Sequence, residues 1–107
     1  PIDTNTYVAA VTRGMPVDLD LIPSLLQSPA RYIGLIGSQR RWALTARALQ
    51  TERGLTPEQL SRIQAPIGLE LNAETPQEIA VSIMAQIIML RRGGDGKPMQ
   101  QRIESVN

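Results

Sequence analysis

The stretch that decides the fold is Tyr32–Leu44, YIGLIGSQRRWAL. An apolar run ends at Gly37-Ser38, and Arg40 and Arg41 follow at once, as when a strand turns at a glycine straight into a helix. The run Arg31–Gly37 is apolar without clean alternation, which suits a strand covered on both faces. Ser38 is a capping residue type, and the helix it opens is expected to reach about Arg53, with Gly54 closing it. Along that helix Trp42, Ala46 and Leu49 share one stripe at helical spacing. Such a junction offers a phosphate free N–H groups, partial positive charge and forked arginine donors. The same residues also describe a capped turn with solvated arginines. The spacing leaves both readings open, because no Walker loop and no G-x-G-x-x-G occurs in the chain.

Upstream, TYVAAVTRG reads as a buried strand over about residues 6–12. The next segment, DLDLIPSLLQS, reads as a helix over about residues 18–28. Leu21, Ile22, Leu25 and Leu26 form its apolar face, Asp18 sits near its N-terminus, and Pro23 is expected early, in the first turn. If the two strands are parallel, Thr12, Arg13 and Asp18 share an edge with Gly37. They are either part of one crevice or a polar turn. Downstream, TPEQ and TPQE each place Thr at an N-cap, Pro at the first helical position and Gln or Glu two residues on, the pattern of a capping box. The first opens a short helix to about Ile63, the second a long one to about Arg92. Between them Pro66 and Gly68 shape a loop, with a candidate third strand near Pro66 to Leu71. It is either a connection or a lip over a ligand. Glu70, Glu74 and Glu78 are spaced by four, but Pro76 keeps them off one helical face, so no carboxylate pair for catalysis results.

Strands alternating with helices imply a parallel α/β sheet. Two strands are thin for one, and the last helix is apolar nearly all round, which calls for cover on several sides. Residues 1–92 are expected to be a partial domain and 93–107 a loose tail.

Composition excludes several classes. The 107 residues contain no Cys and no His, which removes disulfides, thiol nucleophiles, zinc sites and imidazole acid–base work. A net charge of +1 does not suit a nucleic-acid binder. No apolar run is long enough for a bilayer and no leader is evident, so no membrane partner and a cytoplasmic setting are expected. Pro1 points to a processed or partial chain. An aliphatic core without Phe and with 3% aromatics is expected to be of modest stability.

Three blocks, TYVAAVTRGMPVDLDLI, YIGLIGSQRR and LTPEQLSRIQAPIGLELNAETPQEIAVSIMAQII, together resemble the C-terminal Rossmann-like domain of the XdhC/CoxI family, the xanthine dehydrogenase accessory factors. The resemblance covers about residues 6–92. It implies a Rossmann-like parallel sheet flanked by helices, of which this is the C-terminal half. The family's glycine-rich first turn would lie upstream, and missing residues or a dimer partner would complete the sheet. It implies a binding and delivery module rather than an enzyme, handling molybdenum cofactor (molybdopterin) or a nucleotide. Its partners would be a xanthine dehydrogenase-type molybdoenzyme, a cysteine desulfurase and a second copy in a homodimer. By position the family's binding segments fall on Thr12 and Asp18, on Gly37, Ser38, Arg40 and Arg41, and on Pro66 and Gly68. An NAD(P)-binding, oxidoreductase-like domain and a purely structural dimerisation piece remain the alternatives.

Overall fold

The structure, a computed structural model, describes residues 1–100. Three parallel strands lie in the order β1 (Tyr7–Ala10), β2 (Tyr32–Leu35), β3 (Ile63–Gln64). Tyr7 pairs with Tyr32 and Ala10 with Leu35, while Ile33 pairs with Ile63. The crossovers carry α1 (Val17–Gln27) and then α2 (Gln39–Arg53) with the single turn α3 (Pro57–Leu60). Both crossovers step the same way along the sheet, and connections of one hand then put both helices on one face. The core forms there: Ile33 and Leu35 from β2, Leu19, Ile22 and Leu25 from α1, and Leu49 from α2. Trp42 and Ala46 pack against it, so the stripe read from the sequence holds.

Four expectations change. The third strand is Ile63–Gln64, and Pro66 to Leu71 is a loop. Buried Ile63 is the residue that pairs with Ile33, and the Arg62 guanidinium anchors the strand start by donating to Leu26 O at 2.8 Å and Ala30 O at 3.0 Å. The short helix therefore stops at Leu60 instead of running to Ile63. The strand β1 ends at Ala10 rather than about residue 12, because the Thr12 carbonyl is taken by a side chain instead of a neighbouring strand. Pro23 lies in the interior of α1, not its first turn. A proline there frees the carbonyl four residues back. That carbonyl, Leu19 O, accepts from Arg53 Nε at 3.1 Å instead.

After β3 the loop rounds the sheet edge, its Ile67 covering Gly34, and α4 (Pro76–Arg92) lies on the other face, against Tyr32. There is no room for a side chain at Gly34, since an added Cβ would collide with Ile67 Cδ1. The helix packs unusually. Its buried residues are polar, Ser82 and Gln86, whereas Val81, Met84 and Ile88 are exposed. The inner contact is a hydrogen-bonded seam. Gln86 Oε1 accepts from the Tyr32 hydroxyl and from the Gly68 N–H, both at 2.8 Å, and Gln86 Nε2 donates to Gln64 at 3.3 Å. Ser82 Oγ donates to Leu69 O, whose residue returns its N–H to Ser82 O. No helix among the described residues is long and apolar enough to cross a membrane. Residues 94–100 form neither helix nor strand, and the rest of the expected tail, 101–107, lies outside the described residues.

Both capping boxes are present as read. Glu78 accepts from the N–H groups of Thr75 and Glu74, which hold its carboxyl below its ordinary value of 4.5. A carboxylate depressed in the folded state contributes stability above its unfolded pKa and loses it as pH falls through the folded one. The helical signal of the parent protein should therefore fall faster below pH 4.5 than that of Glu78→Gln, as read by circular dichroism. Gln86→Leu should cost about 2–4 kcal/mol in urea unfolding, because it strands two buried donors.

Candidate functional site

In open α/β sheets ligands lie beyond the carboxyl ends of the strands. Here that edge carries residues 11–16 after β1, 36–38 after β2 and 65–70 after β3. Two distinct arrangements occupy it.

The first is a latch between β1 and α2. The Arg41 guanidinium reaches back over Gly37 to Gly14 and donates to Thr12 O at 2.9 Å and Thr12 Oγ1 at 3.3 Å. The Thr12 hydroxyl in turn donates to Asp18 Oδ1. Asp18 is 0% exposed, and its Oδ2 carries no hydrogen bond, standing 3.9 Å from Arg41 Nη2. Gly14 and Gly37 adopt φ of 106° and 137°, and a Cβ at either would press on Arg41 at 3.1–3.2 Å. These glycines thus make a slot for the arginine. Of the residues read as a site, Thr12, Asp18, Gly37 and Arg41 do come together, but around one another. Arg41 is spent on the chain itself.

The second is a cleft of about 210 Å³ between the start of α2 and the loop after β3, lined by Gln39, Pro66, Ile67, Gly68, Leu69 and Glu70. Ser38 caps α2 by accepting from Arg41 N at 3.0 Å. The N–H groups of Gln39 and Arg40 have no partner among the described residues, so the helix presents two free donors and its positive end. Arg40 is exposed and makes no ion pair among the described residues. On the opposite wall the loop has little to give. The N–H of Ile67 goes to Leu35 O, that of Gly68 to Gln86 and that of Leu69 to Ser82 O, while Pro66 has none. Gly68, with φ 103°, is required by packing, since a Cβ would sit 2.5 Å from Ser82 Oγ. Glu70 puts a carboxylate on the rim.

The sequence reading missed Gln39 as a cleft residue and the use of Arg41 as a strut. It also missed Gln86. The available signal was a pair of polar residues, Ser82 and Gln86, four apart in an otherwise apolar helix. Among the described residues no cluster of acidic side chains suits a metal ion.

Parallel strands, helices on both faces and a helix start facing the strand ends define a Rossmann-like unit. The chain belongs to the XdhC Rossmann domain family, whose profile matches residues 1–87. It is 36% identical over 84 residues to the uncharacterized protein YqeB of Escherichia coli, covering 78% of this chain and 15% of that one. It is 41% identical over 75 residues to a probable xanthine dehydrogenase subunit of Bacillus subtilis, covering 70% and 20%. It is 28% identical over 90 residues to the molybdenum cofactor insertion chaperone PaoD of Escherichia coli, covering 84% and 28%. The crystal structure of a xanthine dehydrogenase from Bacillus halodurans superposes with a TM-score of 0.67 at 32% identity, over 99% of this chain and 28% of that one. The chain thus spans between 15% and 28% of the length of these relatives.

Removing one member of a buried ion pair typically costs about 3–5 kcal/mol. A third of Arg41 is exposed, so Arg41→Ala should cost less, about 2 kcal/mol. Arg41→Lys should recover part of this, since one nitrogen, Nη2, makes both Thr12 contacts and faces Asp18, and an ammonium carries enough donors for them on a shorter arm. Urea midpoints of the two variants check both statements.

Proposed function

We propose that this chain is the Rossmann-like part of a molybdenum-cofactor insertion and maturation factor for a xanthine dehydrogenase-type molybdoenzyme. Its task in that role is to hold the phosphate-bearing end of the cofactor, or of a nucleotide, at the start of α2. Family membership and the relative named as a cofactor insertion chaperone support the biological setting. The observation that carries the site is the cleft lined by Gln39, at a helix start whose Gln39 and Arg40 N–H groups have no partner among the described residues. Its volume, about 210 Å³, falls below the roughly 300 Å³ at which whole small-molecule pockets begin. A phosphate fits; a complete pterin nucleotide needs walls from elsewhere. Pro66 and Gly68 line this subsite, Gly37, Ser38 and Arg40 belong to the turn and helix start next to it, and Thr12, Asp18 and Arg41 hold its frame. The role is binding and delivery, with chemistry left to the client enzyme and to a sulfur-supplying cysteine desulfurase in the cytoplasm.

Ser38→Asp tests the subsite cleanly. Aspartate caps helices as well as serine does, so the fold should hold while a negative charge enters the cleft. Titration of the full chain with pyrophosphate, AMP and molybdopterin by calorimetry should show affinity for the phosphate compounds falling at least about tenfold in this variant, equivalent to about 1.4 kcal/mol. Glu70→Gln should strengthen binding by removing the rim carboxylate. Unchanged affinity in Ser38→Asp, with an unchanged melting temperature, refutes the subsite.

A further inference from the structure

We propose that Glu70 is a charge filter on the cleft at the start of α2, so that this site takes a phosphate monoester in preference to a diphosphate. The inference rests on the phosphate subsite proposed above and names the class of ligand which that subsite selects. The two walls of the cleft differ in polarity. One is the helix start, where Gln39 lines the cleft and the Gln39 and Arg40 N–H groups have no partner among the described residues. The other runs from Pro66 to Glu70. Pro66 has no N–H, and those of Ile67, Gly68 and Leu69 go to Leu35 O, Gln86 Oε1 and Ser82 O. The carbonyls of Pro66, Ile67 and Gly68 accept no hydrogen bond among the described residues, so the backbone left over on this wall chiefly accepts. Its one uncommitted N–H belongs to Glu70, the residue that carries the carboxylate.

That carboxylate is tied to the rim. Glu70 Oε1 accepts from Asn72 N at 2.9 Å, across a turn in which Asn72 takes the left-handed conformation with φ 55°. Its Oε2 has no hydrogen-bond or ion-pair partner among the described residues, so no cation of the chain offsets the charge. A first phosphate at the helix start is met by N–H groups and by the positive end of α2. A second phosphate on the loop side meets a fixed negative charge at close range instead, in a cleft of only about 210 Å³. Neutral atoms that follow the first phosphate carry no such penalty, and hydroxyl or amino groups on them suit a wall of acceptors. Selection of this kind works through an unfavourable contact with the wrong ligand rather than a better contact with the right one.

AMP and ADP share one nucleoside and differ by one phosphate, so the pair isolates the effect. In calorimetric titrations of the full chain without divalent metal ions, the parent should bind AMP at least as tightly as ADP. Glu70→Gln removes the charge but keeps an oxygen for the Asn72 N–H, so the melting temperature should hold. This variant should strengthen ADP binding about three- to fivefold more than AMP binding, the order expected for one further unit charge near a carboxylate in water. The difference should shrink in high salt. Glu74→Gln makes the same change of charge at an exposed position outside the cleft lining, and should leave the ratio of the two affinities unchanged. A parent that prefers ADP overturns the proposal. So does a Glu70→Gln variant that raises both affinities equally, or a Glu74→Gln variant that shifts the ratio as much. Ser38→Asp keeps the two levels apart. If it weakens AMP binding while Glu70→Gln leaves the ratio alone, the subsite stands and the filter falls; if it leaves AMP binding unchanged, the subsite is refuted and the filter with it.

Discussion

One carboxamide oxygen organises the far side of this molecule. Gln86 Oε1 receives the Tyr32 hydroxyl from the central strand and the Gly68 N–H from the loop after β3, while its nitrogen gives to Gln64 on the edge strand. Four separate segments therefore meet at one side chain. Burial pushes the Tyr32 hydroxyl up to about 12, so it stays a protonated donor across the physiological range. A polar anchor of this kind is directional where apolar packing is not. It decides which side of α4 faces the sheet, and so which side is left bare.

The strand ends follow a similar logic. Arginines beside a glycine junction suggest an anion site, and a fold of this type invites that reading. Yet Arg41 satisfies the Thr12 carbonyl and stands beside the buried carboxylate of Asp18. Burying Asp18 without a cation near it would be expensive. The latch is therefore a condition for the edge to exist, and what remains to meet a ligand is smaller: Arg40, two helix N–H groups and a shallow cleft.

Much of the fold was legible because its signals are local. Ser38, Thr56 and Thr75 cap helices where the sequence places them, and Gly54 and Gly93 close helices in the left-handed conformation. The third strand was misplaced because two residues carry too little pattern to separate from a loop, and only pairing with Ile33 reveals Ile63 as strand. The interior position of Pro23 escaped for a related reason. Its cost is relieved by Arg53, which lies 34 residues along the chain from the carbonyl it satisfies, and no local rule anticipates that.

The amino-acid sequence by itself determined the order of strands and helices, the absence of thiol and imidazole chemistry, and the family, since capping boxes, apolar runs and glycine positions are short-range features. Tertiary structure alone decided which arginine is free and which is a strut. It also decided that Gly68 serves packing and that the most apolar helix shows its polar side to the core. Each of these depends on a partner distant in the chain: Thr12 for Arg41, Ser82 for Gly68, Tyr32 for Gln86. A residue's chemistry is written at its own position, but whether that chemistry is spent inside the fold or left for a ligand is settled by what the fold brings beside it.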